Sequence, residues 1–276
     1  MLAGCHVSIR DGYLGAAKTA QQLGANAYQY FPKNPRSLSV KEYNSYDAKG
    51  CKDFCEEHSI ISVAHTPYPT NLTPSDDKRK ITIDSLLNDL EIAEACGSIG
   101  VVVHFGSQID SYDPLKGYQV MIEMLNEVLR NWEGNALLLI ENVAGKSGIM
   151  GTTLEEQVQV RSLCQFPNKI GFCLDTCHAF SSDVWTGEKH DEFIQKGIEL
   201  SYFDHLKVIH LNNSKYENGS GMDRHANIDS GKIDINVFSQ LLQEKKLRDL
   251  PFVLETPGED HQTEISLIRT LQYSEG

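Results

Sequence analysis

Nine side chains in this sequence are candidate ligands for divalent metal, and six of them stand in one kind of place, the carboxyl end of a short apolar run. Ile61-Ser62-Val63-Ala64 leads to His65, Val101-Val102-Val103 to His104, and Leu137-Leu138-Leu139-Ile140 to Glu141. Gly171-Phe172-Cys173-Leu174 leads to Asp175, Val208-Ile209 to His210, and Phe252-Val253-Leu254 to Glu255. Two compact motifs complete the set. Asp175-Thr176-Cys177-His178 puts a carboxylate and an imidazole three residues apart, and Asp223-Arg224-His225 puts another pair two apart. Imidazole and carboxylate without thiolate suit Zn2+ or Mn2+, and nine ligands are too many for one ion. The ligand set therefore predicts a multinuclear metal centre.

A short buried strand that hands over a His or a carboxylate at its end is how an eight-stranded α/β barrel builds a site, because the loops at that face converge on one point. The remaining pattern predicts that architecture. Strands over 2–9, 27–31, 60–65, 99–104, 136–142, 170–175, 206–212 and 251–256 alternate with helices over 13–23, 41–58, 77–96, 117–131, 154–165, 191–202, 234–247 and 260–273. Eight parallel strands with crossover helices close into a TIM barrel, expected here as a single domain over 1–276. Within 81–96, Ile83, Leu86, Leu87, Leu90, Ile92, Ala93 and Cys96 recur at mostly helical steps, and Gly97 follows as a stop. Residues 101–103 and 137–140 are continuous apolar runs too short for helices, as strands buried on both faces require. The longer irregular stretches, 66–76, 105–116, 143–153, 179–190 and 213–233, all follow strands, on the side of the ligands.

Composition sets outer bounds. With 276 residues, 40% hydrophobic and 23% charged, the chain is that of an ordinary soluble globular protein. No apolar stretch reaches about 18 residues and the amino terminus carries no leader pattern, so a cytoplasmic protein with no membrane segment is expected. Seven cysteines, at 5, 51, 55, 96, 164, 173 and 177, are odd in number and scattered, and they read as reduced core residues. A net charge of −13 argues against gripping nucleic acid by bulk positive charge. Ligating carboxylates are neutralised in place, however, and a locally positive pocket for one phosphate is compatible with an acidic protein.

The motifs Cys173-Leu174-Asp175-Thr176-Cys177-His178, His210-Leu211-Asn212-Asn213-Ser214-Lys215, Asp223-Arg224-His225 and Leu254-Glu255-Thr256 together resemble endonuclease IV, the zinc-dependent apurinic/apyrimidinic endonucleases of base-excision repair. Gly4-Cys5-His6-Val7-Ser8, Phe31-Pro32-Lys33-Asn34-Pro35-Arg36, His65-Thr66-Pro67-Tyr68 and Ile140-Glu141-Asn142-Val143-Ala144-Gly145 extend the likeness over essentially the whole chain.

The resemblance implies three zinc ions, with Mn2+ admissible at one or more positions. His65, His104 and Glu141 would hold the first. Glu141, as the bridge at the catalytic centre, would hold the second with Asp175, His210 and Glu255, and His178, Asp223 and His225 would hold the third. The implied reaction is hydrolysis of the phosphodiester 5′ to an abasic site by in-line attack of a metal-bridging hydroxide, leaving a 3′-hydroxyl and a 5′-deoxyribose phosphate. The implied partner is duplex DNA with abasic sites or blocked 3′ ends, met by a monomer. Arg36 and Tyr68 match the side chains that the family inserts into the DNA stack. His6 and Asn213 are expected beside the ligands rather than on the metal, and His58, His190, His205 and His261 as surface or packing residues.

Four segments depart from the family pattern. Phe105-Gly106-Ser107-Gln108 replaces Pro-Gly, a small residue and His; Asn213 stands where Asp is usual; Ser181-Ser182-Asp183-Val184-Trp185 lacks a Gly-Tyr-Asp; and Asp229-Ser230 replaces a Gly-Glu-like pair. None is a ligand, so the doubt they raise concerns DNA affinity, lesion preference and rate. The rival reading is a sugar isomerase or epimerase on a similar barrel, whose single metal would need only Glu141, Asp175, His210 and Glu255. A non-catalytic binder of damaged DNA would have lost ligands, and none is lost.

Overall fold

Apolar runs of four to six residues, too short to bury as helices, become parallel strands covered on both faces, and the longer amphipathic stretches between them become the covering helices. In the computed structural model, which describes residues 1–145, 150–258 and 260–273, the elements run β1 (Leu2–His6), α1 (Gly12–Gln22), β2 (Ala27–Tyr30), α2 (Ser45–His58), β3 (Ile61–His65) and α3 (Asp76–Ala95). They continue β4 (Gly100–His104), α4 (Pro114–Arg130), β5 (Leu137–Glu141), α5 (Leu154–Leu163), β6 (Ile170–Asp175), α6 (Thr176–Ser181), α7 (His190–Glu199) and α8 (Tyr202–His205). The chain ends β7 (Leu206–His210), β8 (Asn213–Ser214), β9 (His225–Ala226), α9 (Ile235–Gln243), β10 (Pro251–Leu254) and α10 (His261–Leu271). Part of the loop expected over 143–153 lies outside the described residues.

The sheet closes in the order β1-β10-β7-β6-β5-β4-β3-β2, all neighbours parallel, so the expected TIM barrel is the fold. The strands are shorter than the sequence suggests, and α2 starts at Ser45 rather than 41 because the Asn44 side chain accepts from the Tyr46 and Asp47 amides and caps it. Two small elements escape periodicity: α6, one turn and a half long, and the hairpin of β8 and β9 inside the loop 213–233. Among the described residues no helix is long and apolar enough to cross a membrane. All seven cysteines are buried and unpaired.

One layer of the barrel interior explains where the ligands stand. Val63, Val102, Leu139, Cys173, Val208 and Val253 pack together inside the barrel, one from each of β3, β4, β5, β6, β7 and β10. Side chains of a strand alternate between faces, so the residue two positions on points into the barrel again, one layer higher. Those residues are His65, His104, Glu141, Asp175, His210 and Glu255. The two strands left, β1 and β2, pair with His6 opposite Gln29, and these two complete the ring.

Candidate metal centre

The nine predicted ligands come together at the carboxyl face in three groups. The ligand atoms of His65, His104 and Glu141 lie within 4.8 Å of one another, as do those of Glu141, Asp175, His210 and Glu255, and those of His178, Asp223 and His225. Glu141 belongs to two groups. Its Oε2 faces His65 Nε2 at 3.4 Å and His104 Nε2 at 3.2 Å, and its Oε1 faces His210 Nδ1 at 2.9 Å. Asp223 Oδ1 lies 3.4 Å from both His178 Nε2 and His225 Nε2, and His225 Nε2 lies 3.5 Å from Asp175 Oδ2.

The separations of 3.2–3.5 Å fit shared cations better than hydrogen bonds, while His210 Nδ1 and Glu141 Oε1 stand at hydrogen-bond distance. Nitrogen and oxygen ligands about 2.0–2.2 Å from one tetrahedral ion stand roughly 3.4 Å apart, whereas a charge-assisted hydrogen bond closes to about 2.7–2.9 Å. Glu141 Oε2 and His225 Nε2 are buried with no hydrogen-bond partner, a costly arrangement that a cation at each group would relieve. The electrostatics agree. Burial works against ionisation of Glu141, but His210 and His104 outweigh it and hold its carboxyl well below the usual range. Burial likewise disfavours a charged His178, yet Asp175, Asp223 and Glu141 outweigh it and raise its pKa to about 10, the mark of a site that demands positive charge.

Outer partners fix how the imidazoles face the centre. His65 Nδ1 donates to Thr66 O (2.8 Å), His178 Nδ1 to Asn142 O (2.8 Å) and His225 Nδ1 to Glu255 O (3.3 Å), leaving each Nε2 turned inward. His210 is reversed: its Nε2 meets Gln29 Oε1 at 2.7 Å and its Nδ1 turns inward. The carboxylates are held too. Asp175 Oδ1 caps α6 by accepting from the His178 amide, which seats both ligands of that motif in one turn, and Asn212 Nδ2 donates to Asp175 Oδ2 (2.7 Å) and Glu255 Oε2 (3.1 Å).

Gln29, Asn142 and Asn212 are the supporting residues that the sequence reading passed over. Asn142 and Asn212 each lie within two residues of a ligand, and Gln29 is a lone polar residue in an apolar strand, a signal that was available. His6 lines one side of the centre, its Nδ1 3.3 Å from Gln29 Nε2 and its ring 4.5 Å from Phe31. Asn213 turns into the loop 213–233, where Oδ1 accepts from the Ser214 and Ile233 amides and Nδ2 donates to Ile228 O and Ile233 O. Cys173 and Cys177 approach ligand atoms, and burial raises both thiols, Cys177 to about 12.

Two depressions of about 340 Å3 each meet over the centre and share Tyr68, His104, His178 and Asp223 in their linings. Tyr68 is exposed, edge-on to Phe31 at 5.2 Å, and its amide donates to Pro35 O at 2.9 Å, which ties it to the loop bearing the exposed Arg36. Of the departing segments, Gln108 bonds within its own loop, to Asp110 O, and Ser107 joins Thr73. Trp185 is buried and donates to His190, so that histidine is a packing residue.

Comparison with known proteins gives one picture. The model of the xylose isomerase-like TIM barrel family matches residues 17–272. A relative from Symbiobacterium thermophilum named "Probable endonuclease 4" is 40% identical over 275 residues, 98% of this chain and 99% of that protein. The crystal structure of endonuclease IV from Thermus thermophilus superposes with a TM-score of 0.88 at 28% identity, covering 99% of each chain. A D-tagatose 3-epimerase-like protein superposes at 0.69 with 17% identity over 98% of this chain and 97% of its own, a likeness of fold alone.

Proposed function

The chain belongs to the endonuclease IV family on a xylose isomerase-like barrel, and from that premise we propose that it is a DNA-repair endonuclease that cleaves duplex DNA on the 5′ side of abasic sites. The products of this reading are a 3′-hydroxyl and a 5′-deoxyribose phosphate, blocked 3′ ends are a further substrate, and the working form is a cytoplasmic monomer with one domain over 1–276. The observation that carries it is the division of nine ligands into three groups with Glu141 common to two.

His65, His104 and Glu141 would hold one zinc ion, Glu141, Asp175, His210 and Glu255 a second, and His178, Asp223 and His225 a third, with Mn2+ admissible at any of them. Bound there, the ions would make water nucleophilic near neutral pH and neutralise charge on the attacked phosphate and the departing oxygen. The protein's own part is positioning. Glu141, ionised and fully buried, spans the two inner groups and keeps them at a fixed separation. Asp223, whose side chain is 50% exposed, turns the third group toward both depressions, where the strand would lie. Tyr68 lines both depressions, the Pro35–Tyr68 backbone bond ties it to the loop bearing Arg36, and both side chains would enter a gap in the base stack.

Incision of a duplex carrying one abasic analogue tests the proposal, with an intact duplex and chelator-stripped protein as controls and metal content assayed in the same preparation. Cutting 5′ to the lesion with about three zinc ions per chain is the expected result. No incision, with one ion bound, would instead favour a sugar isomerase using Glu141, Asp175, His210 and Glu255. Arg36→Ala and Tyr68→Ala are expected to weaken binding to abasic duplex by about 1–3 kcal/mol each while zinc content holds; unaltered affinity in both variants would remove them from recognition.

A further inference from the structure

We propose that Gln29 is a positioning residue of the centre, which sets the orientation of His210 and holds Glu255, and thereby controls retention of the metal ion that these two share. The inference rests on the metal-site reading above but concerns a residue that reading does not use.

Gln29 occupies the inward layer of the barrel. Its neighbours Tyr28 and Tyr30 point outward, to Cys51 of α2 and to Ser98, and strand alternation sends Gln29 to the axis. There it stands level with His6 across the β1–β2 pair, and it is fully buried. A buried primary amide must be bonded at both ends, and both of its ends reach ligands: Oε1 lies 2.7 Å from His210 Nε2, and Nε2 lies 2.6 Å from Glu255 Oε1.

The chemistry of those two contacts is complementary. An amide oxygen accepts but cannot donate, so His210 Nε2 carries a proton and Nδ1 is the nitrogen turned to Glu141 Oε1 and Glu255 Oε2, at 2.9 and 3.1 Å, where it would offer its lone pair to an ion bound among them. The amide nitrogen donates, which holds one oxygen of Glu255 and leaves the other facing the centre. No other neutral side chain of this length both accepts from an imidazole and donates to a carboxylate. For His65, His178 and His225 the outer partner is a backbone carbonyl, which no substitution removes. For His210 the partner is a side chain, and its role is therefore open to test.

Two variants separate the contacts. Gln29→Leu removes both. Gln29→Glu keeps an acceptor for His210 Nε2 but sets a carboxylate against Glu255 Oε1. The measurement is zinc retained per chain across a graded series of chelator concentrations, read by elemental analysis, with circular dichroism and the melting temperature of the chelated proteins recorded alongside. Both variants are expected to release one ion at a chelator strength some 10–100-fold below that needed for wild type, while the others stay bound. A purely structural role would lower the melting temperature of the chelated form and leave metal retention unmoved. Retention equal to wild type in Gln29→Glu, the variant that keeps polarity and volume, overturns the proposal even if Gln29→Leu fails to fold. The assay uses no DNA, so wild type that binds zinc but does not incise would count against the proposed reaction and not against this role. Wild type that binds no zinc would overturn both.

Discussion

Asn213 shows at the scale of one residue how a departure from a family pattern can be an adaptation of a loop rather than of a metal shell. Its amide makes four bonds, two of them donated to Ile228 O and Ile233 O, and Gly231 lies so close that a Cβ there would come within 2.2 Å of the Asn213 side chain. A carboxylate in the same place could accept from the two amides but would point an oxygen at two carbonyls. Asn213→Asp is therefore expected to cost about 1–3 kcal/mol of stability, the price of buried polar groups left unpaired, read as a lower midpoint in denaturant. The same loop carries Asp223 and His225, so the ion of the His178 group should also become easier to strip, and unchanged stability and retention would show that the loop tolerates the exchange. Six of the nine candidate ligands were legible in the sequence because each strand end breaks an apolar run with a charged or imidazole side chain, and His178, Asp223 and His225 because each stands in a compact carboxylate–imidazole motif. The role of Asn213 was not, since its partners lie up to 20 residues away along the chain and are backbone atoms that leave no mark on side-chain type.

The elements that aim the mouth of the site are held by a buried ion pair remote from it. Lys33, in the loop between β2 and α2, donates to Ser85 O and pairs with Asp89 at 3.0 Å, both on α3. Tyr13 OH donates to Pro32 O one residue earlier, so the base of the loop bearing Arg36 is fixed from two helices. The ion pair is under strain from its surroundings. Burial lowers the pKa of Lys33 and raises that of Asp89 to about 7, in each case against the pull of the partner. Lys33→Met should thus destabilise by about 3 kcal/mol, at the low end for breaking a buried pair, because Asp89 can take up a proton once alone. Its folded pKa would then lie still further above the unfolded value, so the stability of the variant is fully present in acid and falls as pH rises through neutrality. A loss relative to wild type that is smaller at about pH 8 than at about pH 6 would contradict this sign. At this scale the barrel strands and most helices could be read from apolar periodicity. Helix α6 could not, because it is too short to show a period and is set by the Asp175 cap, and the hairpin β8–β9 could not, because two paired residues per strand carry no alternation.

Across the whole molecule, charge connects the fold to its metal. The chain carries −13, and three zinc ions would bring it to −7, with the entire change concentrated at one face of the barrel. The ligands come from six of the eight barrel strands, from α6 and from the loop 213–233, so bound ions would tie together segments that the sheet does not otherwise connect. Glu141 and Asp175 are fully buried and the Glu255 side chain is 19% exposed, and without cations the imidazoles beside them must take up protons to offset their mutual repulsion. An ion that binds the native state alone stabilises it by about 4 kcal/mol at a thousandfold excess over its dissociation constant. Several such ions would lower the melting temperature by roughly 10 °C or more on removal. Calorimetry with and without chelator should therefore show a large zinc-dependent shift. Amide exchange on the chelated protein should show protection lost first in α6 and the hairpin β8–β9, and retained in β1 and β2, whose inward residues bear no ligand. Superimposable melting curves would mean that the barrel carries its stability without the metal, and that its buried carboxylates are neutralised by protons alone.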